Sequence, residues 1–395
     1  MEIFKNLTML SLEQATVLPF LSYRLAMDGV RVIRLESPTN GDPNRLIGEN
    51  RLGQEGMNTY FMAINAGKEA ITLNLGMPEG RELLKEMIVK LKVDIFATNQ
   101  LPRNYEKLGI DYNTLRQAKP DIIWVGVTGF GPESNEAAYD PVLQARGGLM
   151  EMTGEADAEP QVLGIPLSDM GTSEHAYGRI MKALYRRALT GEGEKISLSM
   201  FISTVSWLTT AITLTRSFGN RMTRRGNTHA FFSPVSVYKT KDGYVYIAVG
   251  NDRQWLSFTK LPGFETLAEP KYEKNAGRIE DVKSLNAAIN ACTQNKTTAE
   301  IIRLCREATI PISRVNTIEE VLEDDYVKEA LLTATDPVGG TRIYMAPAPY
   351  MTPFLEESRR EMTFPPRQGE HNDRVYSALG YSSDKQREMK EKGVI

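Results

Sequence analysis

The stretch AITLNLGMPEGRELLKEMIVKLKVDIFAT, Ala70–Thr98, decides the fold. It opens on a short apolar, β-branched run, Ala70–Leu75, bounded by turn residues. Pro78–Lys92 follows with a helical pattern: Pro in the first turn, Glu early and Lys late, as helix capping and the helix dipole favour. Asp94–Thr98 is a second strand run. Strand, helix, strand implies two parallel strands joined by a right-handed crossover. Working outward, the same grammar gives strands at Leu7–Leu12, Val30–Leu35 and Asp121–Val127. The N-terminal half therefore reads as α/β, a doubly wound parallel sheet.

The pattern changes after about Gly219. VSVYKTKDGYVYIAV is two alternating strands around Lys241-Asp242-Gly243, a hairpin signature. Helical segments at Arg253–Lys260, Ile279–Thr293 and Thr298–Ala308 follow, and together these predict a small α+β domain. From Ala334 to Met351 the sequence is β-rich, and two amphipathic helices, HNDRVYSALG and SDKQREMKEKG, end the chain.

Composition narrows the function. The 395 residues are 41% hydrophobic and 25% charged with a net charge of −3, an ordinary globular balance. Neither nucleic acid nor an anionic membrane is implied as a partner. The short basic cluster RMTRRGN, Arg221–Asn227, reads as a solvated turn or a phosphate contact. Cys292 and Cys305 form no ligand pattern, so no metal is expected and a reducing cytoplasm fits best. The start of the chain lacks a basic segment followed by an apolar one, and no apolar run reaches the ~18 residues of a membrane span. Met200–Gly219, apolar but interrupted by Ser and Thr, reads as one buried or interface helix. A dinucleotide fingerprint is missing: SLEQATVLPF after the first strand has no glycine, and Gly129-Phe130-Gly131 has Ser134 where a third would stand.

Three histidines, His175, His229 and His371, with no GxSxG or HExxH motif, leave carboxylates as the abundant nucleophile class. Asp169, in LGIPLSDMGTSEHAYGRIMKAL (Leu163–Leu184), stands at a helix start. Ala176, Ile180, Met181 and Leu184 give that helix a buried stripe. On the residues alone Asp169 is either a cap of free backbone N–H groups or a reactive group at a helix mouth. Gly171 either admits a close neighbour or relaxes the turn.

In order along the chain, SLEQATVLPF, GVRVIRLESPTNGDPNR, NAGKEAITLNLGMPEGRELL, VDIFATNQ, VTGFGPE, YDPVLQARGGLMEMTGE, GIPLSDMGTSEHAYG and KDGYVYIAVGNDRQW resemble the class III CoA-transferases, the formyl-CoA and carnitine CoA-transferase group. The likeness runs from about residue 7 to GEHNDRVYSALGY. It implies a Rossmann-like large CoA-binding domain from both chain ends, 1–200 and 331–395, a small domain at 221–330, and an interlocked dimer. It also implies that Asp169, closing Gly164-Ile165-Pro166-Leu167-Ser168-Asp169, attacks an acyl-CoA thioester, with no tightly bound cofactor. The positions matching the family's CoA pocket are Leu73, Asn99, Gln100, Leu101, Lys107, Tyr139 and Asp140. Apart from the likeness, Leu73 also reads as core and Lys107 as a solvated helix face.

The chain departs from the family at several positions. Val17-Leu18-Pro19 replaces a small-Gly-Pro turn, Thr16 an active-site Gln, Ser37 a basic residue, and Ala137 a lysine; RRGNTHAFFSP stands in place of a glycine flap. CoA transfer is compatible with these changes; oxalate and formate as substrates are not. Arg146 and Arg221–Arg225 point to a larger acceptor with a second carboxylate, such as a substituted succinate, with succinyl-CoA as donor. The same fold hosts α-methylacyl-CoA racemases, but Tyr139 occupies the position of their histidine, and a phenol is a poor base at neutral pH. A non-catalytic CoA-binding subunit of a heteromer is a third reading, against which the intact Asp169 stands.

Overall fold

The computed structural model describes residues 3–395. Two compact units emerge: Met1–Gly147 with Leu163–Thr209 and Tyr326–Ile395, and Gly148–Val162 with Thr210–Asp325.

The first unit is built on six parallel strands, β1 (Thr8–Leu12), β2 (Arg31–Glu36), β3 (Lys68–Thr72), β4 (Ile95–Thr98), β5 (Ile123–Thr128) and β6 (Glu194–Ser199), in the order β3-β2-β1-β4-β5-β6. Successive residues of a strand point to opposite faces, and here both faces are buried. Met9, Val32, Ile95 and Val125 enter one core with Val17 and Leu21 of helix Val17–Met27 and Ala176 and Ile180 of helix Leu167–Thr190. Their neighbours Leu10, Ile33, Phe96 and Trp124 enter the other, against Leu84 and Met87 of helix Pro78–Lys90. Coverage of both faces is what the crossover helices of an all-parallel sheet require.

Five of the strands lie close to their predicted positions. β6 was not expected as a strand. It sits at the sheet edge, where only Ile196 is buried, so EKISLS carries polar residues at alternate positions and little β signal. Met200–Gly219 is not one helix: it breaks at Trp207-Leu208 into Met200–Ser206 and Thr209–Phe218, and no residue of the second piece is buried.

The opposite edge, β3, is closed by the C-terminal segment. The Ala70 N–H donates to His371 Nδ1 at 3.1 Å and the His371 N–H to the Ala70 carbonyl at 2.9 Å. Asn372 takes the Thr72 N–H at 2.9 Å, and the Tyr376 hydroxyl donates to the Thr72 carbonyl at 2.6 Å. Side chains thus satisfy an edge that would otherwise offer unpaired backbone groups.

In the second unit, β7 (Val235–Thr240) and β8 (Gly243–Ala248) form the predicted hairpin, with Thr240 opposite Gly243, and β9 (Ile312–Arg314) pairs with β8. Tyr238, Val245 and Ile247 pack with Phe258, Leu285, Ile289 and Ile301 of the helices. A last antiparallel pair, β10 (Leu332–Thr335) and β11 (Arg342–Met345), belongs to the first unit. Among the described residues no helix is long and apolar enough to cross a membrane.

Candidate active site

Strand order reverses between β1 and β4, and open α/β sheets place ligands beyond the carboxyl ends of the strands at such a switch point. A cleft of about 260 Å³ lies there. Its walls are Gln14–Val17 after β1, Asn99–Leu101 after β4, Val127–Gly129 at the end of β5, and the crossing segment Glu136–Asp140, with Asp169 among them. Gly129 has a steric role: a Cβ there would lie 2.6 Å from that of Ala138, so only glycine lets the crossing segment pass.

Asp169 is the third residue of helix Leu167–Thr190, whose N-cap is Pro166 and makes no side-chain cap. The cap comes from Asp140, 28 residues earlier: its Oδ2 accepts the Ser168 N–H at 2.7 Å and the Asp169 N–H at 3.3 Å. Gln144 holds Asp140 in turn, donating to Oδ1 at 2.5 Å, while its own Oε1 takes the Leu163 N–H at 3.0 Å. One turn of helix Asp140–Arg146 therefore fixes the whole Leu163–Asp169 approach. Among the described residues nothing donates a hydrogen bond to the Asp169 carboxyl, which is half-buried in the cleft wall. The alternative of Asp169 as a cap is thus answered by geometry: another carboxylate does that work.

Burial first, and the Asp140 charge second, raise the Asp169 carboxyl from the usual carboxylate range to about 7. That rise corresponds to roughly 4 kcal/mol against the anion. The helix dipole, worth about 0.3–1 kcal/mol in the opposite direction, is overwhelmed. Near neutral pH the group is poised between acid and anion.

Gly171 resolves in favour of close approach. A Cβ there would meet Trp207 Nε1 at 2.8 Å. Trp207 also stacks on His175, with ring centroids 4.8 Å apart, and His175 Nδ1 is 2.7 Å from Ser203 Oγ.

Of the positions matched to the CoA pocket, Asn99, Gln100, Leu101, Tyr139 and Asp140 line the cleft with Asp169. Tyr139 is 73% exposed. The Asn99 amide is engaged with the main chain of Gln14, accepting its N–H at 3.2 Å and donating to its carbonyl at 2.8 Å. Leu73 and Lys107 are not in the lining: Leu73 is buried in the core beside Leu83, and Lys107 is exposed on the short helix Tyr105–Leu108. Arg146 pairs with Glu136 at 2.9 Å over the Phe130 ring, and in the second unit Arg221 and Arg224 both bind Glu151, at 3.2 and 2.5 Å. Gln144 and the turn Asp42–Asn44 carry no mark in the sequence, because their reach is set by the fold: Gln144 meets Leu163 across 19 residues and Asp42 meets Ala15 across 27.

The sequence profile of CoA-transferase family III matches residues 4–372. A succinyl-CoA:glutarate CoA-transferase of Mus musculus is 29% identical over 382 residues, covering 95% of this chain and 86% of its own. An acetyl-CoA:oxalate CoA-transferase of Acetobacter aceti is 31% identical over 322 residues, 80% of this chain and 82% of its own. A CAIB/BAIF family protein from Brucella suis has the same fold, with a TM-score of 0.83 at 28% identity over 95% of this chain and 99% of its own. With the profile running from before β1 to the segment that closes β3, the chain belongs to CoA-transferase family III and is a transferase of coenzyme A.

Proposed function

We propose that the protein moves CoA from succinyl-CoA to a dicarboxylic acid larger than oxalate, with Asp169 as the nucleophile. The observation that carries this reading is the Asp169 carboxyl, bare of hydrogen-bond donors in the cleft, on a helix that Asp140 caps in its stead. An Asp169 oxygen attacks the thioester carbonyl; the C–S bond breaks, leaving an acyl-aspartyl anhydride and CoA thiolate. The thiolate then attacks the aspartyl carbonyl, the donor acid departs as carboxylate, and an aspartyl-CoA thioester remains. The acceptor carboxylate attacks that thioester and frees the thiolate, which returns to the acceptor's acyl carbon and restores Asp169. Bonds and charge balance with no further reactant. Both anhydrides are hydrolysed readily, so exclusion of water matters as much as oxyanion stabilisation.

Asn99, Gln100, Leu101 and Tyr139 line the path for CoA, Asp140 supports it from behind, and Leu73 and Lys107 contribute from outside the cleft lining. The donor and the dicarboxylate class are supported by the mouse relative, whose name pairs succinyl-CoA with glutarate. The working assembly is an interlocked homodimer with a large unit drawn from both chain ends, a reading that the exposed Ile212 and Phe218 support. Incubation with succinyl-CoA and no acceptor, followed by hydroxylamine, tests the mechanism. A hydroxamate on the peptide holding Gly164–Asp169, absent in Asp169→Ala, is expected; a label on another carboxylate, or transfer retained by that variant, overturns it.

A further inference from the structure

Ala15, in the cleft wall, has φ +61°, the left-handed region that side chains other than glycine rarely adopt. Something must hold it there, and the grip comes from a turn outside the cleft. Asp42 Oδ1 accepts the Ala15 N–H at 3.1 Å, and Asn44 Nδ2 donates to the Ala15 carbonyl at 2.5 Å. The same Asp42 oxygen takes the main-chain N–H of Asn44 at 3.0 Å, so the Asp42 side chain also fixes the backbone from which Asn44 reaches Ala15. Asp42 and Asn44 are both buried.

Behind the turn lies a buried ion cluster that reaches both flanks of the wall. Asp42 Oδ2 is 2.7 Å from Arg34, and Arg34 lies 3.1 Å from Glu36 and 3.9 Å from Glu13. Lys68 bridges Glu13, at 3.0 Å, to the carbonyl of Pro19, at 2.8 Å, just before and just after the wall. Arg45 clasps Glu36 at 2.6 Å. Glu13, Glu36 and Asp42 balance Arg34, Arg45 and Lys68, so removal of one member strands its partner in the interior. At the other end of the wall, the Ser173 hydroxyl lies 2.5 Å from the Val17 carbonyl and 2.9 Å from that of Asp169. The wall is therefore tied to the turn that carries the carboxylate.

We propose that Asp42 and Asn44 are positioning residues for transfer: by gripping both sides of Ala15 they hold Gln14–Val17 in register with Asp169, though neither lines the cleft. The inference rests on the reading of Asp169 as nucleophile. Steady-state transfer from succinyl-CoA is measured for Asp42→Asn and Asn44→Ala, each with Ala15 and with Ala15→Gly. Glycine takes the left-handed conformation without strain, so the wall no longer needs the grip. With Ala15, each variant is expected to lower kcat about ten- to a hundredfold with little change in KM; with glycine at position 15, by less than about threefold. Equal losses in both backgrounds, or wild-type kcat in the single variants, overturn the inference. Asn44→Ala removes a neutral group and leaves the ions paired, so it carries the test should Asp42→Asn not fold. Asp169→Ala runs beside them: activity retained there strikes the nucleophile reading, whereas the positioning role is judged by the coupling between backgrounds.

Discussion

Asp140 Oδ2 lies 3.3 Å from the main-chain nitrogen of Asp169 and 2.7 Å from that of Ser168, so one carboxylate caps the helix on which the other is displayed. The arrangement does two things at once. It satisfies the first N–H groups of the helix and leaves the Asp169 side chain unengaged, and it sets a negative charge that adds to burial, the larger cause, in holding Asp169 protonated to about pH 7.

In the proposed mechanism Asp169 attacks as the anion, so kcat/KM should rise with pH through about 7 and level above it. Asp140→Asn keeps an oxygen for the cap and removes the charge, so the midpoint should move to lower pH. Burial, the larger cause, remains, so the midpoint should stay above the usual carboxylate range. A pH–rate profile of both proteins is the check, and a midpoint that stays or rises contradicts the assignment.

Stability carries the same signature with opposite sign. The folded protein holds the Asp169 proton to about pH 7 while the unfolded chain loses it near the ordinary carboxylate value, so stability declines as pH rises between the two and is flat beyond. Asp169→Asn removes the ionised group and should stabilise the fold at pH 8 by ~1–3 kcal/mol, with little gain near pH 4. Urea denaturation at the two pH values decides it; the same gain at both would show that the charge is not the cause.

Gly171→Ala should displace Trp207, since the new Cβ would sit 2.8 Å from its indole nitrogen. The ring is 48% exposed and can swing aside, so the expected destabilisation is ~1–3 kcal/mol and the His175 stack should open. The other two tryptophans, Trp124 and Trp255, are each 1% exposed, so acrylamide quenching reports chiefly on Trp207. Unchanged quenching would mean that the neighbouring structure yields instead.

What was legible in the sequence follows from the range of the forces involved. The central strands announce themselves because both their faces are buried, leaving apolar runs at Thr8–Leu12 and Ile123–Thr128. β6 is silent because an edge strand with one buried residue resembles a polar loop. Asp169 stood out by its place at a helix start, yet whether it capped that helix depended on Asp140, a residue distant in sequence. Glu13, Arg34, Asp42 and Lys68 carry no local mark of burial; only the fold, by bringing them together with Glu36 and Arg45 as three acids and three bases, makes their burial tolerable.

The closure of β3 by residues 371–376 has a consequence for biosynthesis. Ala70 and its partner His371 are separated by 301 residues, so a nascent chain presents β3 as an unpaired edge long after the strand has left the ribosome. At ~5–20 residues per second the wait is roughly 15–60 s. During that time the outer edge of Lys68–Thr72 lacks the partners that later cover it and is open to strands of neighbouring molecules. Sealing of this edge is thus a late event that waits for residues 371–376 to emerge.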